Sequence, residues 1–280
     1  MKRLVTIQDI SCFGKCSQTV ALPIISALGI ETVMLPTALL STHTGEFKDY
    51  SRLSLCDEIP SIIAHWKKEN ICFDAIYVGY IGSVSAVKTI YNFIDDFSTK
   101  DTVIFVDPAM ADNAELYDGF DIEYVGAIKE LCKKAHIISP NVYEAMLLTS
   151  GECIANYSLD DVDAVANELS KICPKSVITG IHCGDEMISY GIDKESEIAI
   201  AKKNTKIDGM FYGTGDVFAS TFIGAYINGI DFEKSISLAD DFVQLCISKT
   251  LSERDKYWYG INFEPCLSFL TDFYKENCSK

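Results

Sequence analysis

The 280-residue chain carries a formal net charge of −16, with 48% hydrophobic and 23% charged residues. That composition belongs to a folded globular protein and excludes a disordered chain. The charge argues against a nucleic-acid partner or an anionic membrane surface, but it leaves room for a nucleotide, which needs only local positive potential and a divalent cation.

Eleven cysteines contain no C-x-x-C pair, the closest being Cys12 and Cys16. Neither zinc spacing nor a disulfide framework is expected, and the thiols read as reduced, mostly buried groups of a cytoplasmic protein. The apolar run after Met1-Lys2-Arg3 is too short for a signal peptide, and no stretch approaches a membrane span.

In chain order, Leu4–Ile7 reads as a buried strand running into a polar turn, Gln8-Asp9-Ile10-Ser11. Gly14-Lys15-Cys16 mimics a phosphate loop but lacks the earlier glycine, where Asp9 stands, and the hydroxyl residue, where Cys16 stands. Lys15 is expected in solvent. Ser17–Leu28 is helix-like with Pro23 inside it, and Gly29 ends it. Thr32–Leu35 is a strand stopped by Pro36, followed by the polar cluster Leu40–Glu46. His43 in that cluster reads as a turn residue bonding to backbone rather than as a base.

Cys56–Lys68 and Val84–Phe97 are helical, and Ala75–Tyr80 is a strand. Val103–Val106 delivers Asp107-Pro108 at its carboxyl end, with Asp112 five residues later. After a helix at Val125–Lys134, the strand Ile137-Ile138 delivers Ser139-Pro140-Asn141. Asn141 and Glu144 then open a helix to about Ser150. Asp160–Ile172 is helical and Val177–Gly180 is a strand tip. The weak alternation over Glu186–Lys203 predicts an antiparallel pair at the sheet edge.

Then comes Gly213-Thr214-Gly215-Asp216, opening a helix to Ile227 with apolar residues on nearly every side. Its free N–H groups favour an anion, and Asp216 places a base beside it. Helices over Phe232–Ser252 and Glu264–Tyr274 complete the chain. The β-then-α alternation predicts a mostly parallel sheet with helices on both faces. The absence of repeats and linkers predicts a single domain over residues 1–280.

Ser11, the Thr44 loop, Asp107 with Asp112, Asn141 with Glu144, and the Gly213–Asp216 turn all fall at strand ends. They are expected on one rim of the sheet. So many carboxylates together call for a cation such as Mg²⁺ between them.

This ordered set resembles the pyridoxal/pyridoxamine kinases of the ribokinase-like superfamily. Gly213–Asp216 looks like the anion-hole turn with its catalytic aspartate. Asp107-Pro108-Ala109-Met110-Ala111-Asp112 and Ser139-Pro140-Asn141 with Glu144 are similar to the family's Asp-Pro-Val-Met-Gly-Asp and Thr-Pro-Asn-x-x-Glu segments. Thr42-His43-Thr44-Gly45 resembles the vitamin-pocket loop. Ala111 in place of glycine, and Phe13-Gly14-Lys15-Cys16-Ser17 in place of Tyr-Val-Gly-Asn-Arg, depart from the pattern.

The resemblance implies a three-layer α/β/α fold and ATP-dependent phosphorylation of the 5′-hydroxymethyl group of a B6 vitamer. Asp216 would be the base, the Gly213, Thr214 and Gly215 N–H groups the anion hole, and Ser11, Thr44 and Tyr80 the ring contacts. Asp107, Asp112, Tyr117, Asn141, Glu144 and Thr179 would lie on the nucleotide side, with Mg²⁺ reached through Asp107, Asn141 and Glu144, partly by water. K⁺ and a homodimer are implied in the same way. The alternatives are a hydroxymethylpyrimidine or sugar kinase of the superfamily, or a non-catalytic vitamer-binding protein.

Overall fold

The computed structural model describes residues 1–253 and 255–278. Among the described residues eleven strands are formed: β1 Arg3–Phe13, β2 Glu31–Thr42, β3 Arg52–Ser54, β4 Ala75–Val78, β5 Val103–Val106, β6 Ala111–Asp112, β7 Glu115–Leu116, β8 Ile137–Ile138, β9 Lys175–Cys183, β10 Glu186–Asp193 and β11 Ile198–Thr205. The helices are α1 Gln18–Ala27, α2 Ile59–Lys68, α3 Val84–Phe97, α4 Ile122–Cys132, α5 Val142–Thr149, α6 Leu159–Leu169, α7 Thr214–Ile227, α8 Phe232–Leu251 and α9 Leu267–Asn277.

Nine strands make one sheet in the order β11-β10-β9-β8-β5-β4-β1-β2-β3, and β6 and β7 form a separate hairpin. The six strands from β9 to β2 are parallel, so their carboxyl ends share one rim. The outer strands β10, β11 and β3 join the sheet through antiparallel pairings, as the alternation over Glu186–Lys203 predicts for the first two. The very short, exposed β3 limits the open edge that a longer strand would present.

Alternate residues of each strand feed opposite cores. Val5, Ile7, Ile76, Val78, Ile104 and Val106 pack under α2 to α6. Leu4, Ala75, Tyr77 and Phe105 face α1, α7, α8 and α9. This is the three-layer architecture that the β/α alternation and the resemblance both imply. Among the described residues, no helix is long and apolar enough to cross a membrane.

Two local expectations fail. Gln8 to Ser11 do not form a turn but continue β1, paired with β2 as far as Phe13 opposite Thr42. Pro36 does not stop β2. It sits opposite Gln8, where the register slips before Ile10 meets Leu39, and that irregularity accommodates a residue with no N–H to give the ladder. Pro23 lies inside α1 without ending it, and Gly29 takes a left-handed φ of 74° just beyond, as a helix stop does.

Candidate active site

Helix α7 is buried along most of its length, between α1 and α8 and against the sheet, with only its amino end free. Its first intrahelical bond runs from Val217 N–H to Gly213 O at 2.9 Å. The N–H groups of Thr214, Gly215 and Asp216 therefore have no acceptor among the described residues, and they point with the helix dipole towards the rim. Gly213 caps the helix in the left-handed region, φ 85°, and Thr214 Oγ1 donates back to Phe211 O at 3.1 Å. A β-carbon on Gly215 would meet nothing within 4 Å. The mouth of the turn is open, as an anion hole needs.

Asp216 is enclosed beside this mouth. Burial is the main cause that lifts its carboxyl from the usual range to about 7, the Asp9 charge adds to it, and the Ser17 N–H bond opposes it. Ser17 is thus a bridge: its N–H donates to Asp216 and its hydroxyl donates to Asp9 Oδ1 at 2.5 Å. It holds φ 55° to do so, a strained setting for a residue with a side chain. Ser11 donates to Asp9 Oδ2 at 3.0 Å. Cys16 lies close enough that burial and the charges of Asp216 and Asp9 hold its thiol well above its ordinary pKa.

Across the rim, Asp107 faces Asp216. Burial, then Glu144, then Asp216 push its carboxyl pKa upward, and it takes no hydrogen bond from any described residue. Glu144 is differently placed. Its Oε1 accepts from Met110 N–H at 2.9 Å and Ala111 N–H at 3.4 Å, and its Oε2 from Asn141 N–H at 2.9 Å. Asn141 completes a capping box by accepting from Tyr143 and Glu144 N–H, while its amide donates to Ala111 O at 2.8 Å. Both side chains therefore hold the Asp107–Asp112 segment in place. Glu144 stays raised in pKa by burial despite three N–H partners.

Ala111 accepts this geometry: it is fully buried and keeps φ out of the left-handed region, so the missing glycine costs nothing there. The strain falls instead on Asn113 and Ala114, at φ 50° and 65° in the β6–β7 turn. Asp112 is exposed and caps that turn through Asn113 N–H at 2.8 Å. The Tyr117 hydroxyl lies in the combined field of Glu144, Asp112, Asp107 and Asp216, which with burial raises its pKa. Thr179 is half-buried beside Asn141, with its N–H on Pro140 O at 3.0 Å. All six residues expected on the nucleotide side lie along one stretch of the rim.

On the acceptor side, His43 is buried and both ring nitrogens bond to backbone: Nδ1 accepts from Gly45 N–H at 3.1 Å, and Nε2 meets Tyr259 O at 2.6 Å. That leaves a neutral ring with its proton on Nε2, and burial lowers its pKa accordingly. The clamp ties the Thr44 loop to the 257–261 segment, and Thr44 itself stands exposed between them. Tyr80 stacks on Phe120 with ring centroids 5.6 Å apart, and its carbonyl accepts from Thr37 Oγ1 at 2.8 Å.

Lys15 is not in solvent. Its ammonium pairs with Glu264 and lies 5.4 and 5.3 Å from the Tyr257 and Phe263 ring centres. Gly260 makes this possible, since a β-carbon there would stand 2.5 Å from Lys15 Cβ.

Sequence reasoning missed Asp9 and Ser17. Their only local trace is a carboxylate and a hydroxyl flanking a glycine-containing loop, a pattern too common to single out.

The chain is similar to known proteins over most of its length. A sequence family described as phosphomethylpyrimidine kinase matches residues 22–258. A pyridoxal kinase, PdxY, of Pasteurella multocida is 27% identical over 248 residues, spanning 82% of each chain. The crystal structure of pyridoxal kinase from Lactobacillus plantarum superposes with a TM-score of 0.91 at 26% identity, over 99% of both chains. A Bacteroides thetaiotaomicron protein assigned to the phosphomethylpyrimidine kinases and crystallised with pyridoxal gives 0.91 at 32% identity, over 96% of this chain and 95% of its own. With most of its length matched and a rim of this construction, the chain belongs to the phosphomethylpyrimidine kinase family.

Proposed function

We propose that this protein is a pyridoxal kinase: it transfers the γ-phosphoryl group of ATP to the 5′-hydroxymethyl oxygen of pyridoxal, pyridoxamine or pyridoxine. The observation that carries this reading is Asp216, enclosed in the first turn of α7 beside three N–H groups that have no acceptor among the described residues. A base whose pKa sits near 7 is matched to taking the hydroxyl proton at neutral pH. As the substrate oxygen attacks, the turn's N–H groups hold the charge on the transferred group. General-base help of this kind contributes about 10²–10⁴-fold.

The residues present fit a divalent cation in company with phosphate oxygens. Asp107 has free acceptor capacity, whereas Glu144 and Asn141 are held by backbone and would reach the ion only through water. Among the described residues, no cluster of three or more His, Cys, Asp or Glu side chains is arranged to hold a metal unaided. Mg²⁺, which keeps much of its water, suits such a half-built site, and would supply neutralisation of the phosphate charge there. Asp112, Tyr117 and Thr179 line the nucleotide side, while Ser11, Thr44 and Tyr80 contact the vitamer. Activation by K⁺, a homodimer and a cytoplasmic location rest on the resemblance, and no step is routed through them.

ATP consumption with Mg²⁺ over the three vitamers, hydroxymethylpyrimidine and ribose tests the proposal, with Asp216→Asn alongside. Vitamer turnover that the variant loses is the expected result. The description of the matching family favours hydroxymethylpyrimidine as a second reading. Turnover on the pyrimidine or ribose alone would replace the substrate assignment and keep the base. Vitamer binding without turnover on any acceptor would leave a binding protein.

A further inference from the structure

Arg52 stands on the edge strand β3, opposite Leu40 of β2. Its guanidinium does not pair along the edge. It reaches the loop after β4, where Nη2 donates to Gly82 O at 3.4 Å. The point at which a β-carbon would stand on Gly82 lies 2.9 Å from Arg52 Nη2, 3.2 Å from Tyr80 Cε1 and 3.6 Å from Tyr80 Oη. The cation, on an exposed edge residue, and the phenol ring therefore lie side by side at the rim, with room that only a glycine at 82, with φ 94°, leaves.

The same guanidinium is felt across the pocket. Burial raises the pKa of Asp9 and of Tyr80, and Arg52 draws both back; Tyr50 and Cys56 also face Tyr80. Arg3 has Glu31 as an ion-pair partner, but among the described residues no carboxylate lies within ion-pair distance of Arg52. A positive charge beside an aromatic ring and without a paired anion is set up to receive an anion from the ligand.

We propose that Arg52 determines acceptor specificity by pairing with an ionised ring hydroxyl, the 3-hydroxyl of a B6 vitamer. The proposal rests on the vitamer-kinase reading and adds a residue to it. The hydroxypyridine ring is dipolar near neutral pH, with an acidic ring hydroxyl and a basic ring nitrogen. Ser11 spends its proton on Asp9, so its oxygen presents lone pairs, which suit a protonated ring nitrogen. Arg52 supplies the opposite pole. An aminopyrimidine acceptor has no acidic hydroxyl and gains nothing from the guanidinium.

The test compares pyridoxine with 3-deoxypyridoxine on wild type, Arg52→Gln and Arg52→Lys. In Arg52→Gln, kcat/KM for pyridoxine falls about 10–100-fold, as expected for loss of one charge-assisted hydrogen bond, while that for the deoxy compound stays within about twofold. Arg52→Lys recovers part of the loss. The ultraviolet spectrum of bound pyridoxine reports ionisation of its phenol independently of turnover, and the titration moves to higher pH in Arg52→Gln. Equal losses on both compounds, or an unmoved titration, overturn the proposal. If no vitamer is phosphorylated but the titration still moves, the kinase reading falls and the role of Arg52 in binding stands.

Discussion

The carbonyl oxygen of Lys15 lies 1.9 Å from the point at which a β-carbon on Gly213 would stand. Two demands meet at that glycine: a left-handed φ and a backbone neighbour in contact. The neighbour begins the Lys15–Ser17 stretch whose last N–H holds Asp216. Gly213→Ala therefore forces that stretch to move, on top of about 1–2 kcal/mol for the left-handed setting. The expected outcome is a lower melting temperature together with at least a hundredfold loss of kcat/KM. Unchanged turnover would show that the turn does not position the base.

Gly215→Ala separates folding from catalysis. Its β-carbon meets nothing within 4 Å, and alanine is favoured over glycine in a helix by about 1 kcal/mol, so stability should hold or rise. The methyl group would nevertheless stand where a phosphate must approach the N–H groups. We expect kcat/KM for ATP to fall at least about tenfold in a protein whose thermal unfolding is no worse than wild type. Full activity would move the anion site elsewhere.

The pH profile of kcat/KM reports the free enzyme's essential groups. Asp216, raised to about 7 chiefly by burial, must lose its proton to act as base. Activity is then expected to rise through an ascending limb near pH 7 and to level above it. Weakening the burial should shift that limb towards acid. Val217, which follows Asp216 in the helix and is fully buried, offers a conservative route through Val217→Ala. A limb at pH 4–5 in wild type would mean that the base is solvated in solution.

Much of this was legible in local pattern, and what was not has a common cause. Val84–Phe97, Val103–Val106 and Ile137–Ile138 match their expected bounds because apolar periodicity and the adjoining turn residues agree there. The Gly213–Asp216 turn and the Asn141–Glu144 cap were readable for the same reason: each needs only residues close in sequence. Gln8 to Ser11 read as a turn because polar residues in a buried strand need partners; Gln8 finds Thr6 Oγ1 at 2.8 Å and Ser11 finds Asp9 along the same strand, but the set is completed only from beyond the loop. Ser17 serves Asp9, and Gln18 donates to Thr6 O at 2.8 Å. His43 finds Tyr259, and Lys15 finds Glu264, only after the chain has closed. Arg52 reaches its loop across the sheet edge, and no local rule points to it.

Glu144→Gln distinguishes a positioning role from a ligand role. The carboxylate offers about four acceptor positions and uses three of them, on Met110, Ala111 and Asn141 N–H. A glutamine must turn its NH₂ towards one of these donors, leaving a buried N–H unpaired at a cost of about 1–3 kcal/mol. Stability should fall by that amount and kcat should fall with it, because the Asp107 segment loosens. The Mg²⁺ concentration for half-maximal activity should move less than in Asp107→Asn. The reverse order would make Glu144 the nearer metal contact.

Asp240 gives a prediction independent of the active site. It is buried on α8, its Oδ1 accepts from Ser189 Oγ at 2.9 Å, and its Oδ2 has no partner among the described residues. Burial is the main cause that raises its pKa to about 7, against partial relief from Ser189 and Lys202. A carboxyl raised above its unfolded value binds its proton more tightly when folded. Its ionisation therefore removes stability as pH climbs from about 4, where the unfolded group titrates, to about 7, where the folded one does. Each unit of that shift corresponds to about 1.4 kcal/mol, so the full loss is on the order of 4 kcal/mol. Asp240→Asn cannot ionise. Its NH₂ takes the place of Oδ2 and stays unpartnered at every pH, so absolute stability is a poor readout and the slope is the informative one. Denaturant unfolding at pH 5, 6, 7 and 8 should show the variant's stability relative to wild type improving by up to about 1.4 kcal/mol per unit between pH 5 and 7, then levelling. A difference that stays flat across this range would mean that Asp240 is solvated and ionises normally in the folded protein.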